Sequence, residues 1–342
     1  MTSPLSGLGV TLPVIAAPMA GGPTTVDMVV TAARAGSFGF LAAGYKTPEA
    51  MQKEIAQVRS AAVPFGVNLF APNDVPAESE AYHRYVAAIQ PEADRFDLTL
   101  PADPIEDDDS FSAKIDTLLA QPVPVVSFTF GIPDDDVIRS LRSAGTLVIQ
   151  TVTSGSEAEL AANAGVDALA VQSAFAGGHS GTLTPERRPD EIPLADLVCE
   201  VRHHVRLPIL AAGGLATTED VAAVISAGAY AAAVGTVLLR TRESGASATH
   251  RAALNDPRRT ETVVTQAFTG RPARGLRNAF IDTYESQAPL GYPAIHHLTS
   301  PLRKAAAAVG QPDLVHLWAG TGYRHATEES TGEILTRLAA AL

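Results

Sequence analysis

The sequence predicts an α/β protein built as a (β/α)₈ barrel of the TIM type, and two patterns support that prediction. Helical, alanine-rich stretches repeatedly end in Ala-Gly and run into short apolar segments, and eight such apolar segments follow one another along the chain. They are apolar throughout rather than alternating, as expected for parallel strands covered by helices on both faces. Eight strands alternating with helices favour a closed barrel over the alternative, an open doubly wound sheet.

The ends of the predicted helices carry recognisable signals. A glycine just past a helix can close it in the left-handed conformation without a Cβ clash. Four Ala-Gly pairs stand at such positions: Ala35-Gly36, Ala144-Gly145, Ala164-Gly165 and Ala227-Gly228. At a predicted helix start, Thr47-Pro48-Glu49 supplies an N-capping hydroxyl, a first-turn proline and an acid near the positive helix end.

The predicted strands divide the chain into a barrel core and two additions. The strands cover residues 14–17, 38–42, 65–69, 123–128, 147–151, 168–172, 209–212 and 231–234. Residues 72–121 are too many for one helix and are predicted to form an excursion after the third strand. We therefore expect a single domain of residues 1–342, with its core at about 12–240 and a C-terminal helical region at about 241–342.

The composition narrows the range of partners and compartments. The 342 residues carry a net charge of −12 and no basic patch, so nucleic acid and anionic membranes are poor partners. The single cysteine, Cys199, cannot form an internal disulfide, and we expect its predicted helix to bury it. The N-terminus lacks the pattern of a signal peptide or membrane span. We expect a cytoplasmic protein that acts on a small molecule, with a homodimer as the candidate assembly.

Glycines after two strands predict a phosphate site. In this fold the loops at the carboxyl ends of the strands build the active site. The seventh and eighth predicted strands run into Gly213-Gly214 and Gly235-Thr236, where such barrels commonly bind phosphate. Bare glycine backbones let N–H groups approach phosphate oxygens. Two sets at these places favour a phosphate site over the alternative, in which the glycines only make tight turns.

Polar side chains at other strand ends complete the candidate site. Asn68 and Gln172 end the third and sixth strands, and their amides suit a heterocycle edge or hydroxyl groups, unless they only bond nearby loops. His179 follows Gly177-Gly178 in the loop after the sixth strand, where an imidazole can serve as base, donor or charge. The remaining histidines form no set with cysteines or carboxylates, so we predict no metal.

Several short segments follow one another in the order found in a known family. They are Ala17-Pro18-Met19-Ala20-Gly21-Gly22, Asn68-Leu69-Phe70, Val126-Ser127-Phe128-Thr129-Phe130-Gly131, Ala176-Gly177-Gly178-His179, Ala211-Ala212-Gly213-Gly214, Gly235-Thr236, Phe268-Thr269-Gly270-Arg271-Pro272-Ala273-Arg274 and Leu317-Trp318-Ala319-Gly320. Over residues 13–322 the chain thereby resembles nitronate monooxygenases, formerly called 2-nitropropane dioxygenases. The resemblance implies an FMN-dependent barrel that oxidises alkyl nitronates, such as propionate 3-nitronate, with O₂ to a carbonyl compound and nitrite.

The resemblance also implies roles for individual residues. His179 matches the active-site histidine of the family. The residues expected to bind FMN are Ala17, Pro18, Met19, Asn68, Gln172, Gly177, Gly178, Gly213, Gly214, Ala233, Val234, Gly235 and Thr236. The sequence departs from the family at Ser173, Phe175 and Thr321, where Gly, Glu and Gln are usual. The phenyl ring in place of a carboxylate at Phe175 bears on substrate preference more than on flavin binding.

Two other functions stay open on the sequence. An FMN-dependent reductase that uses NAD(P)H, of the enoyl-ACP reductase or quinone reductase type, shares the barrel, the flavin and a similar histidine loop. A barrel that binds a phosphate ligand without catalysis is the second alternative, and His179 argues against it. Arg271 and Arg274 are hypothesised to anchor a substrate or cofactor anion, with a surface or loop salt bridge as the competing interpretation.

Overall fold

Eight parallel strands form a nearly closed barrel with helices between them. The computed structural model describes residues 5–73, 75–340 and 342. Its strands are β1 (Val14–Ala16), β2 (Phe40–Ala42), β3 (Gly66–Ala71), β4 (Val125–Phe130), β5 (Leu147–Val152), β6 (Ala168–Gln172), β7 (Gly178–His179), β8 (Ile209–Ala212), β9 (Ala231–Val234), β10 (Thr262–Thr265) and β11 (Ala273–Leu276). The barrel contains all of them except β7, β10 and β11. The predicted α/β class and (β/α)₈ architecture are confirmed.

The pairing of the strands closes the barrel. Neighbouring strands follow the order β1-β9-β8-β6-β5-β4-β3-β2, so the first strand pairs with the last. Val14 of β1 lies opposite Ala232 of β9. A parallel bridge from Ala16 to Gly39, just before β2, joins the two ends of the sheet. The carboxyl ends of all eight strands therefore share one rim, and β10, β11 and β7 form a separate antiparallel sheet.

Helices surround the barrel and extend it at two places. In chain order they are α1 (Val26–Arg34), α2 (Pro48–Ser60), α3 (Ser79–Asp94), α4 (Phe111–Ala120), α5 (Asp135–Ser143), α6 (Gly155–Asn163), α7 (Leu194–His204), α8 (Thr218–Ser226), α9 (Ala248–Leu254), α10 (Ala279–Tyr284), α11 (Ala294–Ala308) and α12 (Thr331–Leu338). The predicted excursion after the third strand contains α3 and α4. The predicted C-terminal region contains α9 to α12 together with β10 and β11, and α12 returns to pack on α1.

Strand boundaries agree with the sequence where the apolar runs are short and end in turn residues. β6, β8 and β9 have the predicted bounds. β3 and β4 begin later than predicted and run further, to Ala71 and Phe130, because their ladder continues past the predicted ends and pairs Phe70 with Thr129. The helix-ending glycines Gly36, Gly145, Gly165 and Gly228 have φ values of 81°, 86°, 88° and 102°. These values confirm the predicted left-handed conformation.

Separate hydrophobic clusters hold the layers together. One lies between the barrel strands and the helices around them. A second fills the barrel interior and includes Ile15, Phe40 and Leu210. A third joins α3 to the C-terminal region, for example through Tyr85 and Phe268. Since the C-terminal region contains a cluster distinct from that of the barrel, the single-domain organisation stays a prediction.

The prediction that Cys199 is buried is wrong. Cys199 lies in α7 as expected, but its thiol is exposed. The helix buries a stripe at helical spacing made of Leu194, Leu197, Val198 and Val201, and Cys199 falls outside that stripe. None of the helices in residues 5–73, 75–340 and 342 combines the length and the apolar character needed to cross a membrane. The cytoplasmic location stays a prediction.

Candidate active site

A cavity of about 500 Å³ lies at the carboxyl ends of the barrel strands. The strand ends and their loops form one wall, and α11 with residues 315–322 forms the other. The residues predicted from the sequence to be catalytic or to bind the cofactor all line this cavity: Ala17, Pro18, Met19, Asn68, Gln172, Gly177, Gly178, His179, Gly213, Gly214, Ala233, Val234, Gly235 and Thr236. Arg271 and Arg274 do not line it. The structure therefore brings the predicted residues together, and their individual roles stay predictions.

Three glycine-containing loops meet at one end of the cavity. Gly213 and Gly214 follow β8 with φ values of 118° and 75°, which favour glycine. A Cβ at Gly213 would lie 2.4 Å from the Ser173 hydroxyl oxygen, so this backbone has no room for a side chain. The Gly320 amide donates to the Thr236 hydroxyl at 2.9 Å and brings in a loop of the C-terminal region. These loops form a concave backbone surface that suits a phosphate group.

The amide of Gln172 organises the loop that carries His179. Its Oε1 accepts the Gly181 amide at 2.7 Å, and its Nε2 donates to the His179 carbonyl at 3.3 Å. This is the loop-bonding alternative that the sequence left open for Gln172. Asn68 is buried, and its Nδ2 donates to the Ser127 hydroxyl at 2.9 Å. Both amides are therefore held in fixed orientations at the cavity wall.

Strand β7 fixes the backbone of His179. It pairs antiparallel with β11, which places His179 opposite Ala273. The imidazole lies among the rings of Phe130, Tyr292 and Trp318, with ring centroids 5.7, 5.5 and 5.6 Å away. No local sequence pattern predicts β7, because a two-residue strand is defined only by its pairing with a strand distant in the chain.

Burial keeps the imidazole of His179 neutral. It lowers the pKa of His179 to about 3, and the charges of Arg271 and Arg303 act in the same direction. Nε2 lies 2.9 Å from the Thr269 hydroxyl oxygen, and that hydroxyl donates to the Arg271 carbonyl at 3.3 Å. A hydroxyl has one proton, so with this bond made it accepts from Nε2–H, which assigns the lone pair to Nδ1.

Two buried arginines give this part of the molecule a positive charge. Arg271 is fully buried, donates to the Thr182 carbonyl and places its guanidinium 4.1 Å from the centroid of the Phe130 ring. Arg303, on α11, lines the cavity and donates to the Thr299 hydroxyl at 3.0 Å. Burial lowers the pKa of each to about 10, so both stay charged at neutral pH. Neither forms an ion pair with a carboxylate from the described residues, and the cavity therefore suits an anion.

The two arginines singled out in the sequence, Arg271 and Arg274, have different kinds of partner in the structure. Arg274 forms an ion pair with Glu191, and its Nε donates to the Ala174 carbonyl at 2.6 Å. Its guanidinium lies 5.8 Å from the ring centroid of Phe175. Phe175 is the residue that stands where a carboxylate is usual in the family. The salt-bridge interpretation therefore describes Arg274. Arg303 was missed, although an arginine among the apolar positions of α11 was a signal that could have identified it.

Three further histidines line the cavity near Arg303. His250, His296 and His316 belong to the C-terminal region. Burial lowers the pKa of His250 to about 4 and those of His296 and His316 well below the usual value. They are neutral at neutral pH and add no charge to the cavity. No group of three or more side chains suited to a metal ion occurs in the described part of the chain.

The barrel and its rim cavity define an enzyme of the (β/α)₈-barrel class, and comparisons identify the family. The model of the nitronate monooxygenase family matches residues 2–341. A probable nitronate monooxygenase from Staphylococcus haemolyticus is 35% identical over 337 residues, covering 97% of this chain and 94% of that protein. One from Staphylococcus aureus (strain Newman) is 36% identical over 336 residues, covering 97% and 94%. The chain belongs to the nitronate monooxygenase family and is an oxidoreductase.

Solved structures agree with this assignment. A nitroalkane oxidase from Streptomyces ansochromogenes is 46% identical, with a TM-score of 0.93 over 99% of this chain and 97% of that chain. FabK from Thermotoga maritima has a TM-score of 0.75 over 99% of this chain and 95% of that chain. At 24% identity, FabK shares the fold alone.

Proposed function

We propose that the protein oxidises alkyl nitronates with O₂ to a carbonyl compound and nitrite, with FMN as cofactor. The observation that supports this is one cavity that has glycine loops at one end and the neutral His179 in its wall. Two buried arginines lie nearby, and neither forms an ion pair with a carboxylate of the described residues. A phosphorylated cofactor and an organic anion are the ligands that such a cavity suits.

The cavity fits FMN in size and in the chemistry of its wall. Its volume of about 500 Å³ lies within the range of about 300–1,000 Å³ typical of cofactor sites. Gly213, Gly214 and Gly235 line the cavity and would hold the phosphate, because backbone N–H groups without side chains can approach its oxygens. Flavin dependence is general in the nitronate monooxygenase family. When bound, FMN supplies the redox chemistry, accepting electrons from the nitronate and delivering them to O₂.

The charged residues favour an anionic substrate. A nitronate is an anion, and Arg303 lines the cavity with its charge unmatched by a carboxylate of the described chain. Such a charge attracts an anion more strongly in a water-poor site than in solution. The exposed Lys304 also lines the cavity and adds a second cation for substrates with a carboxylate, such as propionate 3-nitronate.

The protonation state of His179 favours nitronates over neutral nitroalkanes. A neutral nitroalkane must first lose its α-proton, and Nδ1 of His179 is the available base. Because burial lowers the pKa of His179 to about 3, that base is weak. A preformed nitronate needs no proton removed, so the same neutral ring serves it without this disadvantage.

The test begins with the purified protein. We expect it to be yellow, to release FMN rather than FAD on denaturation, and to release nitrite from propionate 3-nitronate in air. Stoichiometric FAD, or no flavin after reconstitution, would exclude the proposed cofactor. A flavin-loaded protein that releases no nitrite from any alkyl nitronate would exclude the proposed reaction.

A further inference from the structure

Tyr45, in the loop after β2, has a strained backbone at the cavity. It lines the cavity with a φ of 66°, a left-handed conformation that is uncommon for an aromatic residue. Its amide donates to Oδ1 of Asp109 at 2.9 Å. Oδ2 of Asp109 lies 2.6 Å from Nζ of the buried Lys114. The excursion after β3 thus supplies a carboxylate that fixes Tyr45, and strain of this kind concentrates where ligands are contacted.

The ring of Tyr45 is held as firmly as its backbone. It stacks on His296 with centroids 4.1 Å apart and 3° between the planes, and its edge packs on Phe70 at 5.3 Å. The Tyr292 hydroxyl donates to the Tyr45 hydroxyl oxygen at 3.2 Å. Since Tyr45 accepts this bond, its own hydroxyl proton stays available for another acceptor. Tyr292 also packs against His179, so the Tyr45 hydroxyl and the imidazole flank the same side chain.

We propose that Tyr45 donates a hydrogen bond to a nitronate oxygen and is a substrate-binding catalytic residue, an inference that rests on the proposed function. His179 cannot fill this position as a donor while its Nε2–H is committed to Thr269. The nitronate oxygens carry the negative charge, and a hydrogen bond to a charged group is stronger than one between neutral groups.

The surroundings keep the Tyr45 hydroxyl protonated. Burial raises the pKa of Tyr45 to about 12, so the phenol remains a donor across the usual assay range. The charges of Arg303 and Arg271 act on the phenol and polarise it toward donation.

The test compares Tyr45→Phe with the matched control Tyr292→Phe in FMN-loaded protein. Tyr45→Phe keeps the stacked ring but removes the donor, so kcat/KM for a preformed nitronate should fall roughly 10- to 100-fold, as expected for a bond to a charged group. Tyr292→Phe leaves the Tyr45 hydroxyl in place, so its kcat/KM for the same nitronate should fall by no more than about tenfold. FMN content and thermal midpoint should be unchanged in the Tyr45 variant.

A binding measurement gives a second readout that needs no turnover. Nitrate is a planar anion that resembles the nitronate group and is not oxidised, and calorimetry should show its affinity falling in Tyr45→Phe. The inference would be overturned if Tyr45→Phe kept both the turnover and the nitrate affinity of the wild type. It would also be overturned if Tyr45→Phe and Tyr292→Phe lost equal amounts of activity and affinity. A wild-type protein that binds nitrate through Tyr45 but oxidises no nitronate would instead overturn the proposed function and leave the anion contact standing.

Discussion

At His179, the surroundings of the ring decide its chemistry. Burial and two nearby arginines hold the ring neutral, and the Thr269 hydroxyl accepts a hydrogen bond from Nε2–H. The resulting residue is a weak base on Nδ1 rather than a cation that could pair with a nitronate. The attraction for the anion therefore falls to Arg303 and to the hydroxyl of Tyr45.

Replacement of His179 by asparagine separates proton removal from anion binding. His179→Asn keeps a hydrogen-bond donor but has no basic nitrogen. Activity on neutral nitroethane should fall by roughly 10²-fold, the low end for a general base, because the pKa of His179 is already low. Activity on the preformed nitronate should fall less. Nitrite release from both substrates measures the ratio, and equal losses would refute the base assignment.

Replacement of Arg303 by methionine tests the anion anchor. Arg303→Met keeps a long side chain on α11 and removes the charge, so KM for propionate 3-nitronate should rise roughly tenfold or more. Arg274→Met is the control, because Arg274 pairs with Glu191 and should affect stability without changing KM. An unchanged KM in a folded Arg303 variant would show that the cavity charge does not bind substrate.

At the scale of elements, the glycine loops after β8 and β9 form one end of the cavity wall. Gly214 has a φ of 75°, and a Cβ there would lie 3.1 Å from Cβ of Phe175. A side chain at Gly214 is therefore disfavoured for two reasons, backbone strain and a tight contact. Both effects accompany any substitution of Gly214, so the effect of an added charge has to be measured against an uncharged substitution at the same position.

Gly214→Asp and Gly214→Ala supply that comparison. Both variants carry the strain and the Cβ contact, while only aspartate adds a charge that repels phosphate. We expect a folded barrel in both, with a similar decrease in thermal midpoint, and FMN retention lost in the aspartate variant but mostly kept in the alanine variant. FMN content after gel filtration measures this. Full retention in Gly214→Asp would show that the loop is only a turn.

Local signals explain why much of the barrel and the glycine loops could be predicted. Apolar runs such as 168–172, and glycines after helices, encode their structure within a few residues. Tyr45 could not be found in this way, because its partners Asp109 and Tyr292 lie 64 and 247 residues away along the chain. The buried position of Arg303 was readable from the apolar residues around it in α11, but its place at the cavity depends on how α11 packs over the barrel rim. The low pKa of His179 likewise could not be predicted, because it depends on burial of the ring in the folded protein.

At the scale of the whole molecule, four buried histidines couple stability to pH. His179, His250, His296 and His316 have pKa values lowered by burial. Below their ordinary pKa of about 6.5, the unfolded chain binds protons that the folded chain does not. Their stabilising contribution is therefore present above that pH and is lost as pH falls toward the folded-state values. Asp109 opposes this, since burial raises its pKa to about 6 and the folded chain protonates it first.

The free energy of unfolding should accordingly fall on acidification. His179 and His250 should each contribute a loss of roughly 2 kcal/mol between about pH 7.5 and pH 5. His296 and His316 act in the same direction, so the histidines together outweigh the single opposing carboxyl. Urea unfolding at the two pH values measures the change. His250→Gln should show a smaller pH dependence than the wild type. Constant or increasing stability at the lower pH would contradict the neutral state of the buried histidines.

Anaerobic mixing tests whether this cavity oxidises nitronates. FMN-loaded protein is mixed with propionate 3-nitronate and, separately, with NADH, while the visible absorbance of the flavin is recorded. We expect rapid bleaching by the nitronate, little bleaching by NADH, and nitrite once air is admitted. Rapid bleaching by NADH with none by the nitronate would contradict nitronate oxidation and favour the NAD(P)H-dependent reductase.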